Sequence, residues 1–203
     1  MKEISLYGAG GHCFAVVALI KCLAEYTPNV VFDDAPQYQD ILDVPVSYFK
    51  DYKKEVKTLC ISVGNNAVRK MISSKIKAEY PSFIHPSAVI YPSSTIGKGT
   101  VIFPNAVIDA SVIISDFCII NNNATVSHNC RIDNFVHIAI QAAVAGGVTI
   151  GEGTIVGAGA VILPEVSIGK WVTIGAGSVI TKDIPDGAIV YGNPGKIIRY
   201  NIV

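Results

Sequence analysis

The chain has no apolar run long enough to cross a bilayer. Its longest early stretch, Phe14–Ile20, is seven residues, against the roughly 20 that a spanning helix needs. That stretch follows a glycine turn, so it reads as a buried helix and not as a signal segment. A surplus of charge of either sign is also missing. Sixteen Lys and Arg balance sixteen Asp and Glu, which argues against a nucleic-acid binder and against a disordered chain. No C-x-x-C pair occurs, and the cysteines (13, 22, 60, 118 and 130) number five. Reduced thiols in a soluble, cytoplasmic protein with no membrane span are therefore expected.

Charge is scarce in one region in particular. Residues 1–81 carry 19 charged side chains, residues 82–182 carry 9, and residues 183–203 carry 4. A composition shift this sharp marks a domain boundary near Pro81, with 183–203 as a C-terminal capping tail. The middle segment must bury its apolar side chains without helical or transmembrane periodicity.

A six-residue period supplies the means. From Ile84 to Ile180 in steps of six, all 17 positions are Ile or Val. Ile and Val are 53 of 203 residues, so the chance probability is on the order of one in ten billion, and a fixed period signals a repeat fold. Two residues before each anchor stands a small or slim side chain, Cys118 and Cys130 among them. Strand alternation turns both positions inward. Glycine often follows the anchor, as at Gly97, Gly151 and Gly175, and is read as a corner that needs positive φ. Three hexads make one triangular coil, so the segment is a parallel β-helix of between five and six coils, roughly 25–30 Å long.

Residues 1–81 alternate strand and helix, which indicates a small parallel, Rossmann-like sheet in an α/β domain. Strands are expected at 4–7, 30–32 and 59–63, and helices at 13–26 and 66–79. Gly8-Ala9-Gly10-Gly11-His12, between strand and helix, offers backbone N–H groups to a phosphate. A dinucleotide fingerprint would place its third glycine where Cys13 stands; a mononucleotide or nucleotide-sugar site and a structural turn stay open. Asp33 and Asp34 end the second strand, either as acceptors for ribose or base or as a solvated strand end. In the β-helix, His128 falls at a corner and His137 on an outward strand position. Nine residues is half of an 18-residue coil, so within one chain these two face different directions, and they would meet only across a subunit interface.

Several segments, taken in order, carry a specific resemblance. They are Gly8–His12, Phe32-Asp33-Asp34, Val63-Gly64-Asn65-Asn66, Val126-Ser127-His128-Asn129-Cys130, Val136-His137-Ile138-Ala139, Ile174–Val179 and Tyr191–Lys196. Together they resemble the hexapeptide-repeat sugar acetyltransferase family, which includes bacillosamine-pathway UDP-4-amino-sugar N-acetyltransferases, GDP-perosamine N-acetyltransferases and sialic acid O-acetyltransferases. The resemblance implies a left-handed β-helix and a homotrimer with active sites between adjacent prisms. It implies acetyl-CoA as donor, no metal, and a UDP- or GDP-linked 4-amino-6-deoxy sugar as acceptor. Gly10, Gly11, His12, Asp33, Asp34 and Gly64 match the nucleotide-sugar positions. His128 matches the general base, Asn121 a polar residue on the substrate side, and His137 a histidine close to the thioester. Ala158 and Ala176 match positions whose backbone lines the pantetheine channel. Lys196 either meets a phosphate of the CoA or belongs to a simple cap.

The chemistry suits these side chains. A sugar amine loses a proton as it attacks a thioester, and an imidazole titrating near neutrality accepts it. Direct transfer needs no protein nucleophile, and proximity of two bound substrates supplies much of the rate. One departure stands out: the family usually has Asp or Glu after the base, and here the residue is Asn129. An amide oxygen still fixes the tautomer but stabilises an imidazolium less than a carboxylate does, which leaves an O-acetyltransferase in play. Two other classes compete. A zinc carbonic anhydrase needs three converging histidines, and a non-catalytic trimeric scaffold would use the prism as a platform.

Overall fold

The computed structural model describes residues 1–51 and 56–201. The first lobe holds β1 (Lys2–Tyr7), α1 (Gly11–Lys21), β2 (Tyr26–Asp33), β3 (Asp40–Ile41), β4 (Val44–Tyr48), β5 (Leu59–Ile61) and α2 (Asn66–Lys75). Its sheet runs in the order β3-β4-β2-β1-β5. All pairings are parallel except the β3/β4 hairpin. The βαβ order follows from the chain: Val and Ile runs fill the strands, and Val16, Val17, Leu19 and Ile20 bury one side of α1 against them.

The helices are shorter than the sequence indicates. α1 begins directly after Gly10, whose extended backbone caps it. It stops at Lys21 because Tyr26 and Thr27 are drawn into β2 beside Lys2 and Glu3. α2 stops at Lys75 because Ile76 is extended and Glu79 bridges to Thr58. The hairpin was not expected at all. It turns at Leu42 and Asp43, both at positive φ (49° and 64°), a conformation usually announced by Asn-Gly or Asp-Gly.

The second lobe is the parallel β-helix that the period describes. Seventeen two-residue strands, β6 (Phe83–Ile84) to β22 (Val179–Ile180), recur every six residues and pair with strands 18 residues before and after. They form three faces. The anchor of each strand points inward, and from Ile102 onward the anchors are almost wholly buried, with the small side chains two residues earlier filling the gaps between them. After the last hexad, residues 183–201 carry two further strands. β23 (Ala188–Tyr191) extends the first face, β24 (Lys196–Tyr200) folds back on it, and Ile184, Ala188 and Val190 complete the prism core.

The corners differ from the expectation. Positive φ falls three residues after the anchor, at every sixth position from Gly99 to Gly177, and nine of those 14 residues are not glycine. The glycines directly after the anchor serve close approach instead: a Cβ on Gly157 would lie 2.6 Å from Ala176 N in the next coil.

The first lobe sits on the first face of the prism. Phe83, Val101, Phe103 and Ile119 share a core with Ile4, Leu6, Val16 and Ile20. Phe117 and Phe135 pack with Tyr7, Phe32, Leu59 and Ile72. Among the described residues, no helix is long and apolar enough to cross a membrane. Ile132→Ala, in the middle of the prism, is expected to cost about 2–5 kcal/mol. Ile90→Ala, in the first coil where the anchor is only half-buried, is expected to cost less than half as much; urea unfolding of both variants checks the difference.

Candidate active site

The carboxyl ends of β1, β2 and β5 converge on the N-terminus of α1 around a cavity of about 360 Å³. Gly10, Gly11, His12, Asp33, Asp34 and Gly64 all line it. Backbone geometry explains how. Gly8 adopts φ +106°, and its carbonyl, with that of Tyr7, accepts bonds from Ser62 Oγ at 2.8 and 3.0 Å. The loop then delivers Gly10 as an N-cap with no side-chain oxygen of its own, and the first turn of α1 carries no acid. Such a helix end favours an anion.

The two aspartates divide their work. Asp33 accepts the Ala9 N–H at 2.7 Å through Oδ2 and the Ala35 N–H at 2.8 Å through Oδ1, so both oxygens already pin the loop. Asp34 is exposed and accepts Tyr7 Oη–H at 2.7 Å on Oδ1. Asp34 lines the cavity, and its other oxygen has no hydrogen-bond partner among the described residues. Burial, then the bond to Asp34, pushes the Tyr7 phenol well above its ordinary value.

Beyond the cavity lies the prism. His137, the outward residue of strand His137–Ile138, faces His12 with ring centroids 6.4 Å apart. Asn121 Nδ2 lies 3.3 Å from His137 Nε2; as donor it fixes the neutral ring's proton on Nδ1. That Nδ1 and His12 Nε2 are buried and have no partner. Burial, then the Arg69 charge, lowers His12 to about 4. Burial, then Arg69, then His12 lowers His137 to about 3. Both rings are neutral at physiological pH.

His128 lies elsewhere, exposed at the corner after strand Thr125–Val126. Its Nδ1 is 2.9 Å from Asn129 Oδ1, so the amide oxygen orients the ring and leaves Nε2 free. Asn129 itself has φ +62°. The imidazole lies against Gly146 of the next coil, where a Cβ would come within 2.5 Å of Cε1 and 2.6 Å of Nε2. Ala158 and Ala176 are exposed, one coil apart, on the corner that follows the first face, and Lys196 is exposed at the start of β24. Within one chain, then, the structure groups the six cavity residues with His137 and Asn121. It leaves His128 and Asn129 at a separate corner.

Other residues of the site were not anticipated. Tyr7, Ser62 and Val63 line the cavity, and a second cavity of about 560 Å³ shares Gly64 and runs past Ile155, Thr173 and Trp171. The contact of His12 with His137 needs the docking of the two lobes, which no local pattern encodes. Among the described residues, no group of three or more His, Cys, Asp or Glu is placed to hold a metal ion.

Comparison with known proteins agrees with this layout. Residues 3–76 match the PglD N-terminal domain, and residues 129–164 and 147–182 match the bacterial transferase hexapeptide model. A UDP-N-acetylbacillosamine N-acetyltransferase of Bacillus subtilis is 34% identical over 111 residues, which is 50% of this chain and 51% of that enzyme. The match thus spans about half the length of the curated relative. Solved structures align almost throughout. The acetyltransferase domain of PglB from Neisseria gonorrhoeae, in complex with acetyl coenzyme A, superposes with a TM-score of 0.90 at 36% identity over 97% of this chain and 99% of that one. PerB from Caulobacter crescentus, in complex with CoA and GDP-perosamine, gives 0.91 at 32% identity over 97% of each chain.

The lowered histidines make stability depend on pH. Their folded values lie below the unfolded value of about 6.5, so this stability is complete above that pH and is lost as pH falls toward 4. The thermal midpoint is expected to drop across that window, and His137→Asn is expected to remove about one proton's worth of the slope. Melts at half-unit pH steps check it; an unchanged slope counts against burial of a neutral His137.

Proposed function

This chain belongs to the hexapeptide-repeat sugar acetyltransferases with a PglD-type N-terminal domain. From that premise we propose that it transfers the acetyl group of acetyl-CoA to the amino group of a nucleotide-linked 4-amino-6-deoxy sugar. The observation that carries this reading is the cavity. An acid-free helix N-terminus for phosphate and the unpaired oxygen of Asp34 for the nucleoside lie beside the place where His12 of α1 meets His137 of the prism, each with an unpaired ring nitrogen. Relatives bind acetyl coenzyme A, or CoA with GDP-perosamine, which supports both substrates.

In this reaction His128 Nε2 takes a proton from the sugar amine as its nitrogen bonds to the thioester carbonyl carbon. The C–S bond breaks, and the imidazolium returns the proton to the departing thiolate, leaving an acetamido sugar nucleotide and CoA. Asn129 Oδ1 holds the tautomer throughout. The nucleotide acts as a remote handle whose binding positions the sugar. The exposed backbone at Ala158 and Ala176 lines the path for pantetheine, and Lys196 is available to a CoA phosphate.

The cavity and His128 belong to one site only if chains associate, and the outward ladder of the second face supports a homotrimer. Val89, Val107, Thr125, Ala143, Val161 and Val179 form an uncharged stripe along it. The third face instead presents Thr95, Ile113, Arg131, Thr149 and Ser167 to solvent, with a charge in the middle of the column. The corner that carries His128 flanks the stripe midway, after Thr125, so association there would bring a neighbour's cavity toward that imidazole.

A thiol assay for CoA release, with acetyl-CoA and a panel of amino-sugar nucleotides, tests the reading. Turnover is expected with a UDP- or GDP-linked 4-amino sugar and is expected to fall at least about a hundredfold in His128→Ala. Turnover on a hydroxyl acceptor alone would assign an O-acetyltransferase, and silence with every acceptor would return the scaffold. Gly146→Ala is expected to displace the His128 ring and lower kcat about tenfold or more while the melting temperature stays near wild type. Asn129→Asp is expected to extend activity or shift its pH profile through a stronger hold on the imidazolium.

A further inference from the structure

Arg69 is the largest fully buried side chain among the described residues, at 1% exposure, and no carboxylate among them pairs with it. Oxygen alone receives its charge. Nε donates to Phe117 O at 2.8 Å, Nη1 to Val63 O at 3.1 Å and Gly64 O at 3.2 Å, and Nη2 to Asn66 Oδ1 at 2.8 Å and Phe135 O at 2.9 Å. Each of the five N–H donors of the guanidinium thus has an acceptor. Asn66 continues the clamp, donating Nδ2 to Gly153 O at 3.0 Å and Thr154 O at 3.2 Å.

The acceptors come from both lobes. Phe117, Phe135 and Gly153 are the left-handed corners of three successive coils, and no backbone N–H among the described residues bonds to their carbonyls. Val63 and Gly64 are the loop that lines the sugar-nucleotide cavity beside His12. A buried charge without a counterion costs several kcal/mol unless hydrogen bonds satisfy it, and here the same bonds supply the Phe117 and Phe135 carbonyls with a donor they would otherwise lack. The guanidinium thus ties the loop that lines the cavity to the corners of the prism.

We propose that Arg69 is a positioning residue of the acceptor site: its fork fixes the Val63–Gly64 loop against the prism and so sets the gap in which the unpaired ring nitrogens of His12 and His137 meet the sugar nucleotide. The role in substrate binding rests on the sugar-nucleotide reading above; the clamp itself does not. The same guanidinium has a second effect. Lacking a carboxylate, its field falls on both rings and helps to keep them neutral. The charged group that reaches both rings is Arg69 from α2; His12 acts in addition on His137, and Asp33 from β2 acts on the neighbouring Cys13. Neutral rings offer the ligand an uncharged N–H at His137 Nδ1 and an unpaired nitrogen at His12 Nε2, whereas protonated rings would repel each other and Arg69.

Two variants separate fork from charge. Arg69→Lys keeps the charge and loses the planar fork; Arg69→Met keeps the length and loses the charge. Histidine Cε1–H titration by NMR on the unliganded protein is the first readout. Arg69→Met is expected to raise the titration of His12 and His137 by about half a unit or more, with Arg69→Lys near wild type. Kinetics are the second: Arg69→Lys is expected to raise KM for the sugar nucleotide about tenfold while KM for acetyl-CoA stays within about twofold. Unchanged titrations in a folded Arg69→Met, or parallel changes of both KM values in Arg69→Lys, would overturn the proposal. If Arg69→Met does not fold, the KM split in Arg69→Lys decides. Wild-type protein that turns over no sugar nucleotide would sink the functional reading, and the NMR titration would still report on Arg69.

Discussion

The prism must return to the same corner every 18 residues, and most of the chemistry of this protein follows from that closure. A side chain is stacked on residues 18 before and 18 after it, through parallel ladders that leave no freedom of register. Phe117 and Phe135 stack at 5.2 Å with their rings 2° from coplanar because they occupy the same corner of adjacent coils. His128 meets Gly146 for the same reason. Only at that corner does the absence of a Cβ leave room for an imidazole over the next coil. Arg69 and Asn66 use the closure from outside, since one short helix meets three equivalent carbonyls at a spacing fixed by the coil rise.

The two-residue strands then give each face a character of its own. With the anchor inward, one residue per strand looks out, so a face is described by a single column of side chains. The first face carries Phe83, Val101 and Ile119 and is covered by the α/β lobe; further along, the column becomes His137, Ile155 and Thr173, and the covering lobe leaves cavities. Domain docking and substrate access are thus graded along one ladder. The carbonyls that receive Arg69 and Asn66 lie at or beside corners, where backbone groups escape the ladder.

The anchors from Ile84 to Ile180, and hence the prism, could be read directly from the chain, because one buried position per hexad admits only β-branched side chains. The glycine loop and Asp33-Asp34 could be picked out as a candidate site, since the carboxyl edge of a parallel sheet is where such loops and acids meet. Other features were hidden by their nature. The Leu42–Asp43 turn carries no glycine, its strain being borne by the pairing of β3 with β4. Glycines after the anchors were read as corners, although the need they meet is the neighbouring coil's backbone. Arg69 left one faint signal, since Ile72 and Ile76 follow it at helical spacing and place it on the buried face. Its acceptors, though, are backbone carbonyls, which no sequence pattern displays. The separate duties of Asp33 and Asp34 depend on which oxygens the loop has already taken.

The three histidines near the candidate site differ in environment, and that difference sorts their chemistry. A general base must carry a proton during the reaction, so its surroundings have to tolerate an imidazolium. His137 fails on two counts: its Nε2 lone pair is met by Asn121 Nδ2, and a positive ring there would be buried beside Arg69 and His12. His12 shares the burial and the guanidinium. These two rings are suited to holding a substrate through uncharged contacts. His128 is exposed, its Nδ1 proton has a defined acceptor in Asn129, and water screens the charge it would gain. An amide beside the imidazole is sufficient where solvent shares that charge, whereas a buried base would need a carboxylate. The exchange of acid for Asn129 is thus tolerable at this corner and would not be at His137.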